Sequence, residues 1–550
     1  MRRHCDYTDA VPAPTPEDFA ALQLKLQELE TRLNTNSSGS VASLGGSPPP
    51  NAVPNYVQAD FSWQPPISVQ FPASLFLDLS TWKRMRRVVP KPVVEIPEEV
   101  LAQLGEPAEI QQTINEYFVT IHLWLPIISK SRMQNGHSLL EGGSDLAMLF
   151  LAVKLVTTVP IPSVAAADHY IYLTAKRFVL SLEHGGIPSI MVLQSMVLIA
   201  IYEYSHGIYP AAWTTIGGCA RYADFLGLPD VHESSILLNS ATTWVELEER
   251  RRTWWAIVVL DRIVCLGNQK KCILPDPPEH EILPANDRIW DDDIPSLVTQ
   301  RTVASLFTGD PSPFSRLCEA ATLASRVLAH VRLMPTSQEN TDQPLLASAA
   351  MSLLDTLLHA SSVVDGEANA SRQGYSLPTF HTDPFLASTS WNPYLAPQAV
   401  LLSATLLLQE TYSWPPQYPP SSTQEANLRH RALRGLQTTS SQVISLLSRD
   451  ILSQRLHPSP APVSTVRLEL GLDTDHALLD NNGSILRRVS PLILDALYSA
   501  ANNFSWLAQE EHSVVVDAST IAKEGLASIN RRWRVAGEYL HMLEQDWQGP

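Results

Sequence analysis

A chain of 550 residues has room for one large core or two or three smaller ones. With 45% hydrophobic residues, most of it is expected to fold. Its formal charge of −17, from 56 Asp and Glu against 39 Lys and Arg, opposes autonomous binding to a phosphate backbone. The N-terminal Met-Arg-Arg-His-Cys-Asp-Tyr has no apolar h-region, so no secretory signal is expected there. The five sparse cysteines, Cys5, Cys219, Cys265, Cys272 and Cys318, accordingly read as reduced thiols of a cytosolic or nuclear protein.

Residues 1–14 hold a short basic run around Cys5. In residues 15–34, Thr15-Pro16-Glu17-Asp18 starts a helix: Thr as N-cap, Pro at the first position, acids in the first turn. Phe19, Leu22, Leu26, Leu29 and Leu33 then repeat at 3-4 spacing, which is either a short coiled-coil seam or an amphipathic helix docked on the body. Residues 35–94 read as a disordered linker rich in Asn, Ser, Gly and Pro. It ends on the densest basic run of the chain, with Lys83, Arg84, Arg86, Arg87 and Lys91. That run serves nuclear import or a phosphate contact, or is simply a solvated flank.

From residue 95 to 550 the pattern is helical. Ile110, Ile114, Tyr117, Phe118 and Ile121 form one stripe. His122 follows, and its setting beside Trp124 and Pro126 favours a packing histidine over a ligand. Leu146–Val159 and Ala165–Leu182 are two apolar helices. Ser189–Tyr204 is apolar nearly all round, as a buried central helix should be, and too short for a bilayer. Ala211–Leu228 carries Trp213 and Arg221 and closes on a C-cap at Gly227.

Trp244–Arg262 reads as a long amphipathic helix. Thr243 and Glu246 form a capping box, and Glu246/Arg250 and Glu248/Arg252 stand in the favourable order. Its stripe runs through Trp244, Leu247, Arg251, Trp254 or Trp255, and Val258, so the two tryptophans enter the core. Asp261 lies on its inward end and is expected to pair with Arg221; the alternative is a surface Asp261/Arg262 arrangement.

Asn268–Pro295 is proline-rich loop, and its Asp291-Asp292-Asp293 triplet is either a magnesium ligand set or, as its contiguity favours, a solvated turn. Further helices are expected over Arg316–Leu333, Leu345–Val364, Pro397–Tyr412, Leu428–Asp450 and Pro491–Ala508. A last helix places Trp533, Ala536 and Leu540 on one face. No catalytic motif is found: there is no Gly-x-Ser-x-Gly elbow, Walker loop, dinucleotide fingerprint or His-Glu-x-x-His helix. No catalytic or cofactor-binding residue is therefore assigned.

Taken in order, Ala212-Trp213, Ile216-Gly-Gly-Cys-Ala-Arg-Tyr-Ala223, Leu226-Gly-Leu228, Glu249-Arg-Arg-Arg-Thr-Trp-Trp255, Leu260-Asp-Arg262 and Leu283-Pro284 form an ordered set. They resemble the middle homology, or fungal-specific transcription factor, domain of fungal binuclear zinc-cluster regulators. The match is most recognisable over residues 110–295. The resemblance implies a large all-α regulatory domain and a nuclear regulator of RNA polymerase II-type transcription, specific to a pathway or gene cluster. It would work with transcriptional co-regulators, as a homo- or heterodimer through Phe19–Leu33. A small-molecule effector is compatible with it, and a membrane is not expected.

In that light, residues 1–14 resemble the end of a zinc cluster, where basic residues precede the last cysteine. Such a cluster needs six thiolates within about 30 residues, and only Cys5 is present. Either the sequence begins inside the cluster, the cluster was lost, or Cys5 is a coincidence. Zinc at Cys5 and contact with DNA are expected only if the cluster is completed upstream. Otherwise the chain reads as a cluster-less dimerising cofactor of an intact relative, or as an all-α enzyme with an unrecognised pocket.

Overall fold

The computed structural model describes residues 72–85, 93–134, 143–228, 237–238, 241–267, 270–309, 312–333, 343–372, 391–413, 423–452, 486–510 and 516–545. The expected residues Cys5, Phe19, Leu22, Leu26, Leu29, Leu33, Arg86, Arg87 and Lys91 lie outside them. Among the described residues the protein is all-α, and its extended structure is one isolated antiparallel bridge, Ile282 to Thr302.

Two short helices come first, α1 (Ser74–Leu77) and α2 (Leu79–Met85). They correct the expectation of a linker through residue 94: Trp82 is buried, and the rings of Phe76 and Phe225 stack 6.1 Å apart. Arg84 stays exposed on α2 and donates to Thr81 Oγ1 at 2.8 Å.

The first half of the body comprises α3 (Glu98–Leu104), α4 (Pro107–Val119), α5 (Lys130–Gln134), α6 (Ser144–Thr157), α7 (Tyr170–His184), α8 (Ile190–Ser205) and α9 (Ala211–Leu226). Apolar composition explains where each sits. Every residue of α8 from Val192 to Ser205 is buried, so no face is left for water. Ser189 caps it, its hydroxyl accepting from the Met191 N–H at 3.2 Å. The helix lies against both α6 and α9. Helix α9 stops at Gly227, whose left-handed backbone (φ 72°, ψ 31°) suits glycine.

Helix α10 (Trp244–Leu266) is the centre of the fold. Thr243 accepts from the Glu246 N–H at 3.2 Å, as a capping box requires. The reciprocal arm differs by one residue, because Glu246 Oε2 takes the Thr242 N–H at 3.0 Å. An amphipathic stripe was expected, yet every residue from Arg251 to Leu266 is buried. The reason is that α10 has neighbours on all sides, packing on α8, α9, α12 (Pro313–Arg332) and α14 (Leu395–Ser413), with α11 (Asp287–Asp291) formed in the loop between.

The second half adds α13 (Gln343–Arg372), α15 (Thr423–Leu447), α16 (Ile493–Glu510), α17 (Val516–Ile529) and α18 (Val535–Gln545). Helix α14 is its spine, touching α12, α13, α15 and α16. By length and composition α13 could cross a membrane. Ala347, Ala350, Leu354, Leu357, Ala360, Val364 and Ala368 form its buried stripe, and it packs on α14 and α15. The expected terminal helix is instead split. The chain turns over residues 530–534, so Trp533 precedes α18, is fully buried, and donates from Nε1 to the Val489 carbonyl at 2.8 Å.

Candidate functional site

The charged turn of α10 was expected to support its own helix from the surface. Only Glu246 and Arg250 behave that way, at 2.6 Å and partly exposed. The next residues turn inward. Glu248 is fully buried, pairs with Arg251, meets Arg252 Nε at 3.1 Å and accepts the Ala285 N–H at 2.7 Å. Glu249 accepts the Ser129 N–H at 3.0 Å and the Gln194 amide at 3.1 Å, and pairs with Arg132.

Arg252 is the hub. Its guanidinium reaches Asp287 at 2.8 Å and the Ala285 carbonyl at 2.7 Å, and its Cζ lies 4.2 Å from the Trp290 ring centroid. Burial opposes its charge, yet Asp287 and Glu248 together hold its pKa above the ordinary arginine value. Asp287 in turn accepts the Phe314 N–H at 3.1 Å and so holds the start of α12.

One turn along α11, Asp291 faces His122 at 3.1 Å. Burial would raise the Asp291 carboxyl, but the charge and hydrogen bond of His122, with Arg252 beyond, hold it below the usual range. The histidine ring stacks on Trp290 at 6.1 Å and meets Phe118 edge-on at 4.8 Å. His122 is thus a packing residue with one acidic partner. The acidic triplet divides, because Asp292 and Asp293 are exposed while Asp291 turns in.

At the far end of α10, Asp261 is buried and accepts the N–H groups of Ile273 and Leu274, both at 3.0 Å, as well as the Arg262 guanidinium. Arg262 extends from there to Ser325 Oγ at 2.8 Å on α12 and to the Pro275 carbonyl at 2.6 Å. The expected Asp261–Arg221 pair does not form. Arg221 lies on the exposed face of α9 and meets Asp224 at 3.3 Å. The surface alternative also differs, because the Asp261/Arg262 pair forms entirely out of water.

Trp255 is fully buried and donates from Nε1 to the Ile282 carbonyl at 2.8 Å; Trp254 is 8% exposed. Trp213 is half-buried, with the Lys270 ammonium 5.1 Å from its ring centroid. Lys83 lies in α2. Sequence reasoning paired Glu248 with Arg252, and that pair forms at 3.1 Å, but it missed the burial of both and of Glu249 and Arg262. Their signal was the placing of charges directly beside Trp254, Trp255 and the Ala256–Leu260 run, where no polar face remains.

Chemically, the hub is saturated: each of its carboxylates already faces arginine, histidine or backbone N–H. Among the described residues, no three His, Cys, Asp or Glu side chains converge as a metal site. The four described cysteines do not converge, because Cys219, Cys265 and Cys318 are buried in separate helices and Cys272 lies in a loop; Cys5 lies outside the described residues. A cavity beside Gln194 and Glu249 holds about 10 Å³, room for no more than one water.

The body is thus all-α, with a central helix that ties two helical halves through buried charge. Over residues 114–362, from within α4 into α13, the chain matches the family described as "Fungal specific transcription factor domain". It is 35% identical over 185 residues to "Transcription factor BOA15" of Botryotinia fuckeliana, a match covering 32% of this chain and 98% of that protein. "Transcription factor tazR" of Aspergillus terreus is 28% identical over 227 residues, 39% of this chain and 35% of tazR. "Azaphilone cluster-specific transcription factor azaR" of Aspergillus niger is 25% identical over 265 residues, 44% of this chain and 53% of azaR. The chain therefore spans nearly all of BOA15 but about a third of tazR and half of azaR. It belongs to the family of fungal-specific transcription factors.

Proposed function

We propose that this chain is a nuclear regulator of transcription for one biosynthetic pathway or gene cluster, acting through its helical body. The family match from α4 into α13, with BOA15 matched over 98% of its length, is the observation that carries this reading. Relatives named for the azaphilone and depudecin clusters support the pathway-level role. Co-regulators dock on the body, and Phe19–Leu33 supplies a dimer seam. In the host fungus, deleting the gene should lower transcripts of a physically linked gene set at least several-fold. A transcriptome unchanged under conditions in which the protein is made would refute the proposal.

A second reading within the family follows from the charge of −17, which opposes contact with a phosphate backbone. In it the chain reaches promoters only through a partner that carries the DNA contacts. Mobility shifts separate the two modes. Binding of the chain alone to target promoters supports direct contact, whereas a shift that needs a captured partner supports the cofactor role.

A further inference from the structure

We propose that Cys265 and Cys272 form an oxidant-sensitive dithiol that closes to an intramolecular disulfide at the junction of α10 with residues 270–276. The geometry begins with Asp261, which fixes the loop by accepting the N–H groups of Ile273 and Leu274 at 3.0 Å. Arg262 adds a second tie, to the Pro275 carbonyl at 2.6 Å. Cys272 immediately precedes this anchored pair, and Cys265 lies one helical turn beyond Asp261 on the same face of α10. That anchoring sets Cys272 beside the turn of α10 that carries Cys265, where the two thiols influence each other's ionisation.

Their settings differ as attacking and resolving thiols should. Cys272 is half-buried and within reach of a small oxidant, whereas Cys265 is fully buried. From α12, Arg332 donates to Cys272 Sγ at 3.6 Å and to the Lys270 carbonyl. The hydrogen bond from Cys265, then Arg332 and the charge of Arg262, bring the Cys272 thiol down to about 6, against burial and the charge of Asp261. The hydrogen bond to Cys272 and burial push the Cys265 thiol up. Cys219 and Cys318 show the contrast: burial alone dominates, and both are pushed above the ordinary thiol value.

With hydrogen peroxide as oxidant, the Cys272 thiolate attacks one peroxide oxygen and the O–O bond breaks. This leaves a sulfenic acid on Cys272, and hydroxide departs with the thiol's former proton as water. The Cys265 sulfur then attacks the Cys272 sulfur. The S–O bond breaks as the S–S bond forms, and the Cys265 proton leaves with the hydroxyl as a second water. Two thiols are oxidised by two electrons, and one peroxide is reduced.

The test is peptide mapping of the purified full chain, without reductant, after a short exposure to hydrogen peroxide. The expected result is one Cys265–Cys272 linked peptide, lost on adding dithiothreitol. Iodoacetamide at pH 7 should label Cys272 at least about tenfold faster than Cys219 or Cys318, and Arg332→Met should slow that labelling severalfold. Cys272→Ser, at a half-exposed site, should abolish the link. Cys265→Ala should instead leave Cys272 as a persistent sulfenic acid, trapped by dimedone. The proposal is overturned if wild-type Cys272 passes to sulfinic acid with Cys265 still a free thiol. It is equally overturned if neither thiol reacts, or if the link joins other cysteines.

Discussion

Asp261 and Arg221 are forty residues apart in sequence and opposite in fate. Asp261 carries two backbone N–H groups and a guanidinium out of water, while Arg221 meets Asp224 in solvent. Removing a buried partner costs far more than removing an exposed one, because the group left behind stays desolvated. Asp261→Ala is expected to lower unfolding free energy by about 3–5 kcal/mol in urea titrations. Arg221→Ala should change it by less than about 0.5 kcal/mol. Equal effects would restore the pairing that sequence spacing suggested. The tryptophans of α10 were legible because large apolar rings have one place to go. The partner of Asp261 was not, because the N–H groups of a loop carry no signature in a sequence.

At the scale of elements, the legible features were the ones whose signals are local. The Thr243 cap, the Gly227 stop and the apolar run of α8 appear where the residues put them. Helix α13 outran its expected end at Val364 because distant residues hold it. Arg316 Nε reaches Glu367 at 3.0 Å and Arg372 reaches Asp450 at 2.7 Å, so ion pairs made by other helices carry it past Asp365-Gly366. Helix α17 was not anticipated, since a middle glycine weakens its pattern. Gly525 sits there because α17 approaches α15 closely. A Cβ at that position would lie 2.4 Å from Leu447 Cδ2 in the core. Gly525→Ala should therefore destabilise by about 1–3 kcal/mol, although alanine is the better helix former. A lowered midpoint in thermal unfolding is the expected reading, and an unchanged or raised one would mean that Leu447 yields without cost.

Across the whole molecule, α10 joins the two sets of helices, and the family match spans that junction. The second half also holds buried acid. Burial, with some help from Asp495, pushes Glu410 up to about 7, and the amide of Asn503 at 2.8 Å offsets only part of it. A carboxyl raised on folding favours the protonated native state. Its contribution is complete below the ordinary glutamate value and is lost as pH rises through about 7. Buried His206 has the opposite sign, because its pKa falls on folding and acid removes stability. The difference between wild type and Glu410→Gln isolates the carboxyl. The variant should match wild type near pH 4 and exceed it by about 2 kcal/mol at pH 8, allowing for the partial exposure of Glu410. A gap independent of pH would show that Glu410 stays charged throughout.

The far end of the chain returns to an early helix. Arg532 donates to the carbonyls of Val156 and Thr158 at the end of α6, at 2.5 Å and 2.9 Å. These partners are 376 and 374 residues apart in sequence. During synthesis the ribosome must therefore deliver more than three hundred further residues before α6 can be closed off. Translation at about 5–20 residues per second leaves that end waiting for tens of seconds. Until then the carbonyls of Val156 and Thr158 lack their native donor, so the end of α6 is expected to be among the last parts of the body to close.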